Sequence, residues 1–176
     1  ILVFAATRVH VVTLPAHGRA DGAEGTVFLL IGTDAGIPRP AGDIQETGTR
    51  ADVVVLVHVR DGDARAVVVP RDLVVTDAGG APLRLALAMQ EGAPAVADGL
   101  CRGLGVTVDH LVAVDATGFP ATVDALGGLR LDIPHPVRDP AAGLELRTTG
   151  VQLLDGAQAL ALVRSRHPEY LVDGEW

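Results

Sequence analysis

Cysteine, lysine, asparagine and aromatic residues are scarce or absent in this chain of 176 residues. The single cysteine, Cys101, excludes an internal disulfide bond. All 14 basic residues are arginine, and the net charge of −8 argues against a nucleic-acid partner, which would require a basic face. Aromatic residues make up only 3%, so the core has to be built from Val, Leu, Ala and Ile. The length fits one domain of ordinary size.

Several well-known catalytic and metal-binding motifs are also missing. The chain has no Gly-x-Ser-x-Gly motif, no P-loop and no Cys–His pairing, so acyl transfer and nucleotide hydrolysis gain no support. Its six histidines include no His-x-x-x-His pair of the kind that binds zinc. The apolar start at residues 1–6 is either the tail of a transmembrane helix or a first β-strand. Beyond it no run reaches eighteen apolar residues, which predicts no membrane-spanning helix there.

The apolar runs that are present alternate between strand and helix patterns. Strands are expected at residues 27–31, 53–59, 64–69, 111–114 and 129–133. Helices are expected at residues 83–104, 119–126 and from 155 to about 163. Asp61-Gly62 is a strong hairpin-turn signal, Gly92 and Pro94 predict a break in the first helix, and Asp155 with Gln158 resembles a capping box. This order predicts an α/β fold, an α-β-α sandwich with a central mixed β-sheet flanked by helices.

Charged residues stand where the predicted elements end. Asp34 follows the first strand, Arg50 and Asp52 precede the second, Arg71 and Asp72 follow the third, and Arg164 and Arg166 end the last helix. Ligands of layered α/β folds gather at such ends. Arginine forks match phosphate oxygens, and two carboxylates can hold Mg²⁺, so these residues suit a pyrophosphate site. The alternative is that they form surface ion pairs, for example between Arg50 and Asp52.

A series of short segments resembles the LytR-CpsA-Psr family. They are LLIGTD at 29–34, RADV at 50–53, VPRD at 69–72, VDHLVAVD at 108–115, VDALGGL at 123–129, LDGAQAL at 154–160 and VRSRH at 163–167. No single segment is decisive, but all of them fall in the family's order. The resemblance implies an enzyme that transfers a glycopolymer from a polyprenyl-pyrophosphate carrier to peptidoglycan, on the extracytoplasmic face of the cell membrane. Teichoic acid, capsule and arabinogalactan all remain open as the polymer.

The resemblance also implies roles for individual residues. Asp34 and Asp52 fall where the family binds Mg²⁺, and either carboxylate is a candidate to assist deprotonation of the acceptor hydroxyl. The family's pyrophosphate-binding positions correspond to Arg50, Arg71, Arg164 and Arg166. Asp34, Asp52 and Arg71 are therefore the expected catalytic residues, and the four arginines are expected to converge on one pocket. Residues 84–104 and 111–126 are candidates to line an elongated apolar cavity for the prenyl tail.

The chain departs from the family pattern in two places. Where the family has Ser-Arg after the first aspartate, this chain has Ala35-Gly36. The family's downstream Gly-Arg and Arg-Gln segment is missing, because the sequence stops at Trp176. We therefore expect residues 1–26 to be an N-terminal strand or membrane-proximal segment, with a missing membrane anchor before it. Residues 27–176 are the expected catalytic domain, truncated at its C-terminus. A non-catalytic polyprenyl-pyrophosphate-binding or regulatory module and a hydrolase that releases the polymer are alternative functions.

Overall fold

Four strands form a mixed sheet in the first part of the chain. The computed structural model describes residues 24–33, 49–172 and 174–176. Strands β1 (Thr26–Thr33), β2 (Ala51–Arg60), β3 (Asp63–Val69) and β6 (His110–Val114) lie in the order β3-β2-β1-β6. The β1–β2 and β2–β3 pairs are antiparallel, and β1 and β6 are parallel. The predicted mixed sheet is thereby confirmed.

The turn between β2 and β3 sets the register of that strand pair. Asp61 and Gly62 both have positive φ values, 52° and 89°, as a two-residue hairpin turn of the primed type requires. Arg60 pairs with Asp63 on either side of the turn, and the ladder continues without a break to Val54 and Val69. The predicted hairpin is confirmed, and its tight turn leaves no freedom for the strands to slip.

Helices cover one face of this sheet. A short hairpin of β4 (Val74–Thr76) and β5 (Pro82–Arg84) leads into α1 (Leu85–Ala88), a 3₁₀ turn at Met89–Glu91 and α2 (Ala93–Leu104). The core between sheet and helices contains the fully buried side chains Leu29, Ile31, Val54, Leu85, Val96 and Leu100. The predicted helical break lies at Gly92, whose φ of 105° favours glycine. The predicted start of the first helix was wrong, because Leu83 and Arg84 pair with β4.

The opposite face of the same sheet is apolar and partly exposed. The strand register puts Leu30, Val53, Val68 and Val112 on this face, and all four are exposed. The unbroken apolar run of β2 had predicted burial on both faces. Strand formation is confirmed there, but within β2 only Ala51 and Val54 are fully buried.

A second compact unit, Thr117–Trp176, has its own elements and core. They are α3 (Gly118–Ala125), β7 (Leu129–Ile133), β8 (Val137–Asp139), β9 (Leu144–Leu146), β10 (Gly150–Leu154), α4 (Gly156–Arg164) and β11 (Glu169–Tyr170). Strand β7 pairs with β10, β8 lies between β11 and β9, and α3 packs against α4. The buried side chains of this core are Ile133, Val137, Leu144, Leu146, Leu154 and Ala161.

The start of α4 is stabilised by the predicted capping box. The Asp155 carboxylate accepts the backbone N–H of Gln158 at 2.8 Å, and the Gln158 side chain accepts the N–H of Asp155 at 3.1 Å. These reciprocal bonds satisfy two amides that a helix start otherwise leaves without partners. Among the described residues, no helix is both long and apolar enough to cross a membrane. Of the N-terminal segment expected at residues 1–26, residues 1–23 lie outside the described residues.

Candidate functional site

Asp52 occupies an irregular position at the start of β2. Gly32 pairs with Val53 and Thr33 pairs with Ala51, so the register shifts and Asp52 falls between the two pairs. Ala51 and Val54 are both fully buried although they are three residues apart, whereas a regular strand repeats its buried face every two residues. A bulge of this kind re-aims the inserted side chain and is frequent beside functional sites. Asp52 therefore lies within β2, whereas the sequence had predicted a position just before the strand.

Arg71 lies opposite Asp52 at the end of the β2–β3 hairpin. Counted back from the Arg60–Asp63 pair, residue 71 falls across from residue 52. One guanidinium nitrogen, Nη1, donates to Oδ1 of Asp52, forming an ion pair. Both side chains are well exposed, 53% for Arg71 and 36% for Asp52. A pair so accessible to water adds little to stability. It is an exposed ion pair of the kind that the alternative interpretation of these residues expects, although its partners are Arg71 and Asp52 and not Arg50 and Asp52.

The backbone of Arg71 is held independently of its side chain. The N–H of Leu73 donates to the carbonyl of Pro70 at 3.0 Å, which closes a turn around residues 71 and 72. The carbonyl of Arg71 accepts the N–H of Ala86 at 2.9 Å, at the start of α1. The neighbouring Asp72 forms a long ion pair with Arg84, at 3.8 Å. The guanidinium of Arg71 is therefore presented from a fixed turn, while Asp72 faces a different partner.

The remaining predicted residues of the first unit are Arg50 and Asp34. Arg50 directly precedes β2 and is partly buried. Asp34 lies outside the described residues, directly after the last residue of β1, Thr33. Within the described ranges, no three His, Cys, Asp or Glu side chains cluster to hold a metal ion. The metal site formed by Asp34 and Asp52 stays a prediction.

Arg164 and Arg166 lie at the end of α4 in the second unit. Arg164 is the last residue of the helix, where a cation interacts favourably with the helix dipole. Both side chains are exposed, and neither forms an ion pair with another described residue. Their charge is thus available to an anionic ligand. Because they belong to a different unit from Arg50 and Arg71, convergence of the four arginines stays a prediction.

The backbone that follows α4 is organised by Asp139, a residue that the sequence did not single out. Its carboxylate is only 2% exposed. Oδ2 accepts the hydroxyl of Ser165 at 2.8 Å and the N–H groups of Arg166 and His167, both at 3.0 Å. These bonds, led by the one from His167, lower the pKa of Asp139 from 3.8 to about 2 against the opposing effect of burial. Asp139 is therefore a carboxylate in the neutral pH range.

Other motif residues of the second unit have structural partners. Asp124, on α3, accepts the N–H of Gly156 at 2.7 Å and thereby joins α3 to the start of α4. A Cβ on Gly156 would lie 2.5 Å from both Cα and the carbonyl carbon of Pro120, so only glycine permits this approach of the helices. After α3, Gly127 and Gly128 have φ values of 86° and 94°, which ends the helix as predicted.

In the first unit, Asp109 joins the parallel strands. Its Oδ2 accepts the N–H of Val27 at 2.7 Å, and its own N–H donates to the carbonyl of Val27 at 2.9 Å.

A small cleft of about 20 Å³ lies between α2 and the β4–β5 hairpin, bordered by Val75, Leu83 and Gly99. Such a cleft holds about one water molecule and is far too small for a prenyl chain. The predicted cavity draws on residues 84–104 and 111–126, which span both units, and it stays a prediction.

The match to a family sequence model extends over almost the whole chain. The model of the LytR_cpsA_psr family matches residues 6–174. This chain belongs to the LytR-CpsA-Psr family. The segments from LLIGTD to VRSRH all lie within the matched residues.

Relatives of the LytR-CpsA-Psr chain support this assignment. One is "Probable cell wall biosynthesis protein LcpB" of Corynebacterium glutamicum, 32% identical over 161 residues, which are 86% of this chain and 38% of LcpB. Another is the solved "LytR-Csp2A-Psr enzyme from Actinomyces oris", 41% identical with a TM-score of 0.64, covering 86% of this chain and 51% of that one. The chain therefore spans roughly two fifths of LcpB and half of the Actinomyces chain.

A more distant structure in the family contains a lipid. The protein YwtF (TagT) of Bacillus subtilis, "with bound octaprenyl pyrophosphate lipid", is 23% identical, with a TM-score of 0.62. The match covers 86% of this chain and 61% of that one. At this identity the likeness shows a common α/β fold, with a mixed sheet and flanking helices.

Proposed function

We propose that this chain is part of a phosphotransferase that attaches a polyprenyl-pyrophosphate-linked glycopolymer to peptidoglycan during cell-wall assembly. The observation that carries the proposal is the exposed pair of Asp52 and Arg71, held on a bulge and a fixed turn at two family motifs. An acidic group and a cation at one end of a sheet suit a reaction in which negative charge shifts between phosphate oxygens. Two names support the proposal: LcpB is named a probable cell wall biosynthesis protein, and the TagT structure is named with a bound octaprenyl pyrophosphate lipid.

In this proposal all four arginines bind phosphate groups, and Arg71 has a second role in the transfer step. Arg71 binds the pyrophosphate and stabilises the charge that develops on the leaving phosphate during transfer. Arg50, two residues before Asp52, and the exposed pair Arg164 and Arg166 supply further phosphate-binding groups. Arginine suits this role because its planar fork binds two phosphate oxygens at once. Arg164 and Arg166 have no ion-pair partner among the described residues, so ligand binding breaks no existing pair there.

Asp52 has two candidate roles, as a ligand of Mg²⁺ and as the group that assists deprotonation of the acceptor hydroxyl. Its carboxylate is a hard oxygen ligand of the kind that Mg²⁺ prefers, and Asp34 would be the second ligand. When bound, the ion would neutralise charge on the phosphate oxygens. The ion pair with Arg71 engages Oδ1, so Oδ2 of Asp52 is the oxygen to be considered for the metal.

The partners and the location follow from the proposed reaction. The donor is a lipid-linked polymer, with teichoic acid named among the polymers of this family's structures, and the acceptor is peptidoglycan. Such a donor is held in the membrane, and its acceptor lies outside, so the site belongs on the extracytoplasmic face of the cell membrane. We also propose an elongated apolar cavity for the prenyl tail, because exposing such a chain to water costs about 25 cal/mol for each Å².

One feature favours a second function, a non-catalytic polyprenyl-pyrophosphate-binding or regulatory module. Ala35-Gly36 replaces the family's Ser-Arg, so one phosphate-binding arginine is absent from that motif. A module of this kind would bind the lipid pyrophosphate without turning it over. A hydrolase would use the same residues but would release the polymer to water.

A transfer assay with radiolabelled lipid-linked donor and peptidoglycan fragments separates these functions. Label that becomes attached to peptidoglycan supports the transferase, free labelled polymer supports the hydrolase, and binding without turnover supports the module. Arg71→Ala should lower transfer by about 100-fold, in the range for loss of one group that stabilises transition-state charge. Arg60→Ala is the matched control, since it removes an exposed ion pair with Glu24 at the opposite end of β2. Equal activity of both variants would contradict the proposed role of Arg71.

A further inference from the structure

The environment of Asp139 is unusual for a charged side chain. It is the one charged residue among the fully buried side chains of the described ranges. Burying a carboxylate is costly unless hydrogen bonds compensate it, and Asp139 accepts five. A charge that is kept at such a cost, and compensated so fully, fixes the geometry of the segments that donate to it.

The two carboxylate oxygens serve different segments. Oδ1 accepts the N–H groups of Ala141 and Ala142, at 3.1 and 3.3 Å, in the turn between β8 and β9. Oδ2 accepts all three donors from Ser165, Arg166 and His167, directly after α4. Asp139 thus joins the β8–β9 turn to the segment that carries the arginine pair.

Strand β8 holds the same segment at a second point. Glu169 and Tyr170 pair with Arg138 and Val137 through β11. The Arg138 guanidinium also donates to the Glu169 carboxylate at 2.7 Å, and it lies 4.7 Å from the ring centroid of Trp176. The segment from Ser165 to Tyr170 is therefore hydrogen-bonded to β8 at both ends. Asp139 binds its first residues, which include Arg166 and directly follow Arg164.

This arrangement decides which groups remain for a ligand. The N–H groups of Arg166 and His167 already donate to Asp139, so they are not available to an external anion. The guanidinium groups of Arg164 and Arg166 are exposed and form no ion pair with another described residue. At this turn the groups left for an anion are therefore the two arginine side chains, on a backbone that is hydrogen-bonded to Asp139.

We propose that Asp139 is a positioning residue that acts through Arg164 and Arg166 to bind the pyrophosphate group of the donor. The inference rests on the proposed function, since it takes the arginine pair as part of the pyrophosphate site. Asp139 does not contact the ligand. It fixes the backbone from which the two guanidinium groups reach the phosphate oxygens, so that less conformational freedom is lost on binding.

The test measures binding of inorganic pyrophosphate to the purified protein by calorimetry, well below its unfolding temperature. Asp139→Asn keeps the size of the side chain and an oxygen that accepts from Ala141 and Ala142. Its NH₂ group replaces Oδ2, so Ser165, Arg166 and His167 lose their acceptor. We expect about tenfold weaker binding, comparable to the loss of one charge-assisted hydrogen bond. Asp155→Ala is the matched control, because it removes a carboxylate that accepts a backbone N–H at the other end of α4. Its affinity should stay that of the wild type.

A double-mutant cycle separates positioning from general destabilisation. If Asp139 acts through the arginines, Asp139→Asn should have no further effect on affinity once Arg164 and Arg166 are both Ala. An equal loss in that background, or wild-type affinity of the Asp139→Asn protein, would overturn the positioning role. If Asp139→Asn does not fold, Ser165→Ala replaces it in the same cycle, with a smaller expected loss of pyrophosphate affinity. An affinity of Ser165→Ala equal to that of the wild type would then overturn the inference. Failure of the proposed function has a different signature, namely that Arg164→Ala and Arg166→Ala bind pyrophosphate as the wild type does.

Discussion

Gly156, at the start of α4, lies against the backbone of Pro120 on α3. Replacing Gly156 by Ala places a methyl group 2.5 Å from two backbone atoms of Pro120 and closer still to its carbonyl oxygen. Backbone cannot rotate away as a side chain can, so α3 and α4 must separate. That separation also stretches the hydrogen bond from the Gly156 N–H to Asp124, now 2.7 Å.

The expected cost of Gly156→Ala can be worked out from these contacts. Overpacking of this kind costs about 1–3 kcal/mol, and weakening the hydrogen bond to a carboxylate adds roughly 1 kcal/mol or more. Alanine favours a helix over glycine by up to about 1 kcal/mol, which offsets part of the loss. We therefore expect the free energy of unfolding to fall by about 2 kcal/mol.

Urea unfolding followed by tryptophan fluorescence provides the measurement. The single tryptophan, Trp176, belongs to the same unit as Gly156 and lies beside Arg138. With a urea slope of about 2 kcal/mol/M, the unfolding midpoint should fall by roughly 1 M. Gly79→Ala is the control, since its new methyl group would meet only the Asp77 carboxylate at 3.4 Å, an ordinary contact. A Gly156→Ala midpoint equal to that of the wild type would refute the close packing of α3 on α4.

Three further predictions concern aspartates. The pKa of Asp139 is about 2 in the folded protein and 3.8 as the ordinary value, so its contribution to stability is complete above about pH 4 and is lost as the pH falls through 2. Unfolding followed by fluorescence between pH 5 and 2 should show this loss of stability. The loss should be smaller in the Asp139→Asn protein. Asp155→Ala should lower the free energy of unfolding by about 1 kcal/mol through loss of the α4 cap, which a urea titration would detect. Asp52→Ala should abolish Mg²⁺-dependent transfer in the radiolabel assay with little change in unfolding midpoint, because its ion pair with Arg71 is exposed. Full Mg²⁺-dependent activity of that variant would remove Asp52 from the metal site.

Features that depend on a few neighbouring residues could be predicted from the sequence. The Asp61-Gly62 turn, the capping box of Asp155 and Gln158 and the helical break at Gly92 all formed as expected. Each depends on backbone angles or hydrogen bonds within about four residues, so the tertiary structure has little influence on them. The turn also contains information that the sequence analysis did not use. A two-residue loop sets the hairpin register, and that register places Arg71 opposite Asp52.

The parts of the site that were missed depend on contacts between distant segments. Asp139 precedes Pro140 and two alanines, a pattern typical of a local turn, and its Oδ1 does bind that turn. Its other oxygen binds residues 26 to 28 positions further along the chain, which no local pattern indicates. Leu83 and Arg84 continue the helical pattern of the residues after them, yet pairing with β4 makes them a strand.

The sequence by itself determined the family and the alternation of strands and helices, because these are properties of residue order and short-range geometry. Only the tertiary structure decided that Asp52 stands on a bulge in an ion pair with Arg71, and that a buried carboxylate holds the turn beside Arg164 and Arg166. The physical reason is that register shifts and buried hydrogen bonds are selected by packing over the whole unit. A bulge satisfies the backbone and the core together, and a buried charge persists only where folding brings its donors to it.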